Sequence, residues 1–133
     1  MSKLEYFLIS EGVSVDQRTN RLSIFNIFEN VSADKFPASV PFVTAVVSLI
    51  KEDEDHGKDL QLLLKIHSPG VEKTFELTLN FVMESERHRL LMSIDNIKVG
   101  KSGDMTFELY LNESLIATRM VKVILIHPKA EQS

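Results

Sequence analysis

The chain of 133 residues contains no cysteine and no tryptophan. The absence of cysteine excludes disulfides, thiolate metal sites and a cysteine nucleophile together. With only two tyrosines, Tyr6 and Tyr110, the sequence also has few of the exposed rings on which carbohydrate-binding sandwiches lay sugars. Glycine is sparse and isolated, at positions 12, 57, 70, 100 and 103, so no glycine-rich phosphate loop exists. A Gly-x-Ser-x-Gly nucleophile elbow is missing too, and Ser102-Gly103-Asp104 reads as a turn. Positive charge is not in excess. Lys and Arg total 15 against 19 acidic residues, for a formal charge of −4, and the lysines are scattered. That argues against nucleic acid, whose binding rests on a basic face, and against an anionic membrane.

Long hydrophobic runs are lacking as well. The opening segment holds an apolar run of four residues, Tyr6-Phe7-Leu8-Ile9, shorter than a signal-peptide core and preceded by Glu5. The longest uncharged run, 36–50, is interrupted by Pro37, Ser39, Pro41, Thr44 and Ser48. Nothing approaches the ~20 apolar residues of a membrane-spanning helix. A cytoplasmic location is expected, in which the sequons at Asn30 and Asn112 are chance matches.

What is present is a period of two. Leu60, Leu62, Leu64 and Ile66 alternate with Gln61, Leu63, Lys65 and His67; Phe75, Leu77, Leu79, Phe81 and Met83 alternate with Glu76, Thr78, Asn80, Val82 and Glu84; and Met105, Phe107, Leu109 and Leu111 alternate with Thr106, Glu108, Tyr110 and Asn112. Successive strand side chains point to opposite faces, so each run has one buried and one wetter face. Further strands are expected over 4–15, with a bulge at Gly12, and over 22–28, apolar on both faces after Ile24. That second pattern suggests a bulge or a covered central strand. Residues 41–50 carry no charge and are expected to be largely buried. Strands over 88–95 and 115–126 complete the set. Residues 83–92 are the one helical candidate, and a loop leading into a strand is the preferred reading.

Turn chemistry falls between these runs. Pro37 and Pro41 mark an irregular crossing, since proline lacks an N–H and biases the preceding residue to extended geometry. Ser68-Pro69-Gly70 reads as a turn with Pro at its first corner and Gly at its second. Asn112-Glu113-Ser114 reads as a hairpin connection. Eight strands without a convincing helix predict an all-β fold, a single antiparallel β-sandwich, immunoglobulin-like or jelly-roll/C2-like. One domain is expected over 1–128, followed by a polar tail over 129–133.

The run Asn20-Arg21-Leu22-Ser23-Ile24-Phe25-Asn26-Ile27-Phe28, the Phe36-Pro37 crossing, the Ser68-Pro69-Gly70 turn and the closing Gly103-x-x-x-Phe107-x-Leu109 strand form one pattern. It resembles a bacterial family of small all-β domains with no established function, over residues 5 to 125. The resemblance implies a sandwich fold and a bacterial source, and supplies no active residues. The acidic loop 52–55 departs from the family pattern.

That loop, Glu52-Asp53-Glu54-Asp55-His56, is the sharpest local feature. Asp53, Asp55 and His56 are its weak metal candidates. Consecutive carboxylates on a hairpin cannot all converge on one cation, so a solvated loop is expected, with no metal and no cofactor. The histidines, His56, His67, His88 and His127, show no paired-ligand spacing, and His67 is expected at the surface. Tyr110 is expected to face outward. The last strand is apolar on both faces, with Lys122 its one charge from Met120 on. Such a strand is central in its sheet or forms an interface, and in the second case Met120, Lys122, Ile124 and Ile126 would carry it.

The expected function is an uncharacterised cytoplasmic protein-interaction or assembly module without an evident catalytic site, working through loops or strand addition, with a protein partner or a second copy. Alternatives are a small-ligand or carbohydrate-binding sandwich, an oligomeric structural component of a phage-like assembly, and a hydrolase with a scattered triad.

Overall fold

The computed structural model describes residues 2–126; the expected tail, with His127 and Pro128, lies outside the described residues. Nine strands follow one another: β1 (Lys3–Val15), β2 (Leu22–Ile27), β3 (Asn30–Ala33), β4 (Ala38–Ile50), β5 (Asp59–His67), β6 (Phe75–Val82), β7 (Arg87–Val99), β8 (Gly103–Leu111) and β9 (Ser114–Leu125). They form two sheets, ordered β2-β1-β4-β7 and β3-β9-β8-β5-β6. The only helical element among the described residues is a single 3-10 turn, Asp53–Asp55. Residues 83–86 form a loop with a bend at 85–86 that leads into β7, as preferred over a helix.

The core fills the space between the sheets. Phe7 and Ile9 from β1, Val43, Ala45, Val47 and Leu49 from β4, and Leu90, Met92 and Ile94 from β7 meet the second sheet's alternating residues. Those are Leu60, Leu62, Leu64 and Ile66 from β5, Met105, Phe107, Leu109 and Leu111 from β8, and Val121 and Val123 from β9. Each Val, Leu, Ile, Phe or Met side chain among them contributes roughly 1.5–3 kcal/mol by leaving water. The alternation read from the sequence thus survives in register: Leu62 stands opposite Leu79 on β6 and Leu111 on β8. β6 closes the sheet on one side, and its Phe75 stays 42% exposed because no further strand covers it.

Three expectations are corrected. The segment 22–28 is not one covered central strand. β2 is an edge strand, Asn26 takes φ +55°, and the chain leaves the first sheet at Phe28 to enter the second as β3. Gly12 carries no bulge; the irregularity in β1 falls between Leu4 and Tyr6, at Glu5. The sandwich is also not wholly antiparallel, because β3 pairs with β9 in parallel, Asn30 with Lys122 through Ala33 with Leu125.

At one end two loops lock through their backbones. Gly70 takes φ +76° at the turn position where glycine is favoured, and the Gly100 amide donates to the Pro69 carbonyl at 2.8 Å. A Cβ on Gly100 would lie 2.5 Å from the Gly70 carbonyl oxygen. Gly100→Ala is therefore expected to destabilise the fold by about 1–3 kcal/mol through overpacking. Urea unfolding with an unchanged slope would show it, and an unaltered midpoint would refute it.

Candidate functional site

The crossover from β2 to β3 makes one side of the sandwich unlike the other. β1 is 13 residues long, but β2 pairs only with its second half, from Ser10 to Val15. The first half therefore has backbone groups facing that side without a strand to receive them. Arg119 of β9 fills part of the gap: its Nε–H donates to the Phe7 carbonyl at 2.9 Å, and its guanidinium carbon lies 6.0 Å from the Phe7 ring centroid. Next along the edge, the Phe28 amide donates to the Ile9 carbonyl at 2.8 Å.

Around this crossover lie three adjoining depressions. One of about 360 Å³ runs between Ile27, Phe28, Leu8, Arg119 and Met120, and so joins the first sheet to β9. A second, of about 410 Å³, is formed by Glu11 and residues 26–30, where the Asn26 side-chain amide donates to Glu11 Oε1 at 2.6 Å. The third, of about 330 Å³, reaches from Phe28 and Asn30 to Pro41 and Phe42. Large apolar side chains stand at their rims in water: Ile27 at 51% exposure, Phe42 at 42% and Met120 at 59%. Phe25 lies two residues from Ile27 on β2 and is exposed as well.

Cross-strand partners share a face, which extends this surface onto the outside of the first sheet. Ile27 stands opposite Ser10, Ser10 opposite Thr44, and Leu8 opposite Val46, which in turn faces Leu91. Ser10, Thr44, Val46 and Ser48 are buried although they point away from the core, forming a floor of small side chains between larger ones. At the far end of that face Glu5 sits in the bulge of β1. It accepts from the Ser48 hydroxyl at 2.6 Å and, through both oxygens, from Arg87 at 2.8 and 2.9 Å. The Ser48 and Arg87 hydrogen bonds hold the Glu5 carboxyl below its ordinary range. A polar depression of about 490 Å³ adjoins it, lined by Tyr6, Asn20, Ser48, Arg87, His88 and Arg89 among others. Arg89 there donates to the Asn20 carbonyl and Oδ1 at 3.4 and 3.3 Å. Burial lowers the His88 pKa, and its ring stacks on Phe81 at 4.8 Å.

The expected interface residues on β9 are all exposed. Met120, Lys122 and Ile124 alternate outward with Val121 and Val123 inward, and Ile126 follows the strand. β9 lies inside its sheet, between β3 and β8.

The acidic loop departs from its expectation. Asp55 is only 7% exposed and accepts two hydrogen bonds from Ser2, one from the hydroxyl at 2.7 Å and one from the amide. The loop thus anchors the start of β1. His56 turns elsewhere, its Nδ1 2.9 Å from Lys51 Nζ. Asp53, Asp55 and His56 do not converge, and among the described residues no three His, Cys, Asp or Glu side chains are arranged to hold a metal ion.

On the outside of the second sheet the structure gathers residues that the sequence left apart. Glu108 Oε1 lies 2.8 Å from His67 Nε2 and accepts from the Tyr110 hydroxyl at 3.1 Å, while Thr74 Oγ1 lies 3.2 Å from His67 Nδ1. Hydrogen bonding by His67 holds the Glu108 carboxyl below its usual range, and burial raises the Tyr110 pKa. Hydroxyl, imidazole and carboxylate stand here in the order of a hydrolase triad. The His67 side chain is nevertheless 45% exposed on an open sheet face, and the residues line none of the four depressions. Tyr110 faces outward as expected, with Lys65 Nζ 5.1 Å from its ring centroid.

Two packed sheets, ordered β2-β1-β4-β7 and β3-β9-β8-β5-β6, define an immunoglobulin-like β-sandwich domain. Over residues 5–124 the chain matches the model of a family of unknown function, DUF6941, and it belongs to that family. No curated protein matches it. Among solved structures it is similar to an immunoglobulin-like protein from Pseudomonas aeruginosa, at 15% identity and TM-score 0.54, over 92% of this chain and 96% of that one. It is also similar to the Pseudomonas fluorescens alkylpurine DNA glycosylase AlkC, at 7% identity and TM-score 0.57, over 92% of this chain. The chain spans 30% of the glycosylase's length. These likenesses establish the fold. No helix among the described residues is long and apolar enough to cross a membrane.

Two stability predictions follow from the anchors. Arg119→Leu leaves the Phe7 carbonyl without its charged donor and is expected to cost about 1–3 kcal/mol in chemical unfolding; no loss would dismiss the tie between the sheets. The Asp55 carboxyl is held below its ordinary value by the Ser2 hydroxyl hydrogen bond and then the Ser2 amide, against the opposing effect of burial. Its stabilisation is present above the unfolded aspartate value, about 3.9, and is lost as pH falls below it. The Tm gap between wild type and Asp55→Asn should be open near pH 7 and narrow towards about pH 3. A gap that widens in acid would contradict this origin.

Proposed function

We propose that the domain is a cytoplasmic protein-recognition module rather than an enzyme, and that it binds its partner on the crossover side. The observation that carries this reading is the continuity of the surface there. Ile27, Phe42 and Met120 stand exposed around three adjoining depressions, and the sheet edges of β2 and β3 lie beside them. Exposed apolar side chains grouped at a groove are the usual mark of a protein-binding site, whereas single ones are unremarkable. Backbone groups at the outer edges of β2 and β3 add the means to receive an extended segment. Of the residues expected at an interface from the sequence, Met120 belongs to this surface, and Lys122 and Ile124 continue it along β9.

A second reading, a binder of small anionic ligands, is favoured by the depression beside Arg87 and Arg89. Its arginines already engage Glu5 and Asn20, so it ranks lower.

Recognition is tested by affinity capture from the source cell, followed by titration of the captured protein. Ile27→Asp and Met120→Asp should each weaken binding about tenfold or more while leaving Tm within a few degrees, since exposed side chains carry interface energy without core packing. Val82→Asp, on the opposite side of the sandwich, should bind like wild type. Equal binding by all three variants would sink the assignment.

A further inference from the structure

β7 ends the first sheet: among the described residues it pairs with β4 on one side and with no strand on the other. It is 13 residues long, contains no proline, and has no charge from Leu90 to Ile94. Free edges of that length offer a row of unpaired backbone donors and acceptors, and proteins normally blunt them with charges, proline or a bulge. Here the irregularity comes only at Asn96, with φ +54°. The outward side chains ahead of it run Arg87, Arg89, Leu91, Ser93, Asp95, positive at one end and negative at the other. An antiparallel pair of such strands places each end against its opposite.

We propose that β7 pairs antiparallel with β7 of a second copy, about a two-fold axis at Met92. Residues then stand opposite when their numbers are equally far from 92. Arg89 meets Asp95 of the second copy, and Asp95 meets its Arg89. Leu91 meets Ser93, and on the core side Leu90 meets Ile94. Arg87 stays with Glu5, and Arg89 exchanges its long contacts to Asn20 for a carboxylate. The two four-stranded sheets become one of eight strands.

Charge complementarity selects a second copy as the occupant, because a strand that is positive at one end and negative at the other is its own antiparallel complement. The other edges lack this property. β6 carries one charge, Glu76, and β3 carries none over four residues. β2 has none either, and Asn26 interrupts it.

Light scattering across about 1 μM to 1 mM protein tests this. Wild type should approach twice the 15.1 kDa chain mass. Arg89→Asp makes both ends negative and Asp95→Arg makes both positive, so each alone should weaken self-association about tenfold or more. Mixing the two variants should restore a dimer, because one now complements the other. Lys122→Glu, on β9, should dimerise like wild type. A wild type that stays monomeric throughout overturns the proposal. So does a dimer indifferent to both β7 substitutions, one that mixing fails to restore, or one that only Lys122→Glu dissolves.

Discussion

Residues 43–49 of β4 are buried without a break, and the rest of the molecule is arranged to make that possible. Seven consecutive buried residues cannot leave backbone groups unpaired, since each orphaned donor or acceptor costs free energy comparable to a lost hydrogen bond. β7 therefore pairs with β4 from Ala38 to Ile50, and β1 pairs with it from Thr44 to Ile50. Val43, Ala45, Val47 and Leu49 go inward to the second sheet. Thr44, Val46 and Ser48 go outward and are buried as well, on a face where Asn20 of the β1–β2 connection meets Arg89 of β7. Two hydrogen bonds tie this face to β1: the Ser10 hydroxyl reaches the Thr44 carbonyl, and Ser48 reaches Glu5.

The same constraint explains why the two sides of the sandwich differ. The long strands β1, β4 and β7 set the height of the first sheet, but the chain between Arg21 and Ala33 is divided between two sheets. β2 covers half of β1 and β3 covers the end of β9, so neither finishes its edge. Arg119 closes part of the opening by spanning from β9 to the Phe7 carbonyl. What remains open is a run of grooves with Ile27, Phe42 and Met120 at its rims. On the opposite side β7 presents a complete edge instead. Groove and edge suit different partners, so the proposed recognition surface and the proposed self-association edge fall on different sides.

The strands that bury one face were legible in advance, since alternation in β5 and β8 is a local property that the pleat converts directly into a core face. So was the turn at Gly70, whose positive φ follows from proline and glycine at fixed corners. The site was much less legible. Met120, Lys122, Ile124 and Ile126 were picked out by a two-faced apolar pattern, and all are exposed, but Ile27 and Phe42, which share the groove surface, looked like core. An apolar run that is exposed at an edge and one that is covered at the centre read alike. Asp55 was missed for the complementary reason: in a row of four acidic residues nothing marks the one that Ser2 will bury.

Composition and pattern by themselves determined an all-β chain, held by an uncharged central segment and without cysteine chemistry. Each of those properties depends on neighbours within a few residues. Tertiary structure alone decided that β2 and β3 lie in different sheets, that β3 runs parallel to β9, and that Glu5, Ser48 and Arg87 meet across three strands. It also decided which edges stay free. These depend on strand order, and strand order is set by how the whole core closes, through contacts far apart in sequence that no local pattern encodes.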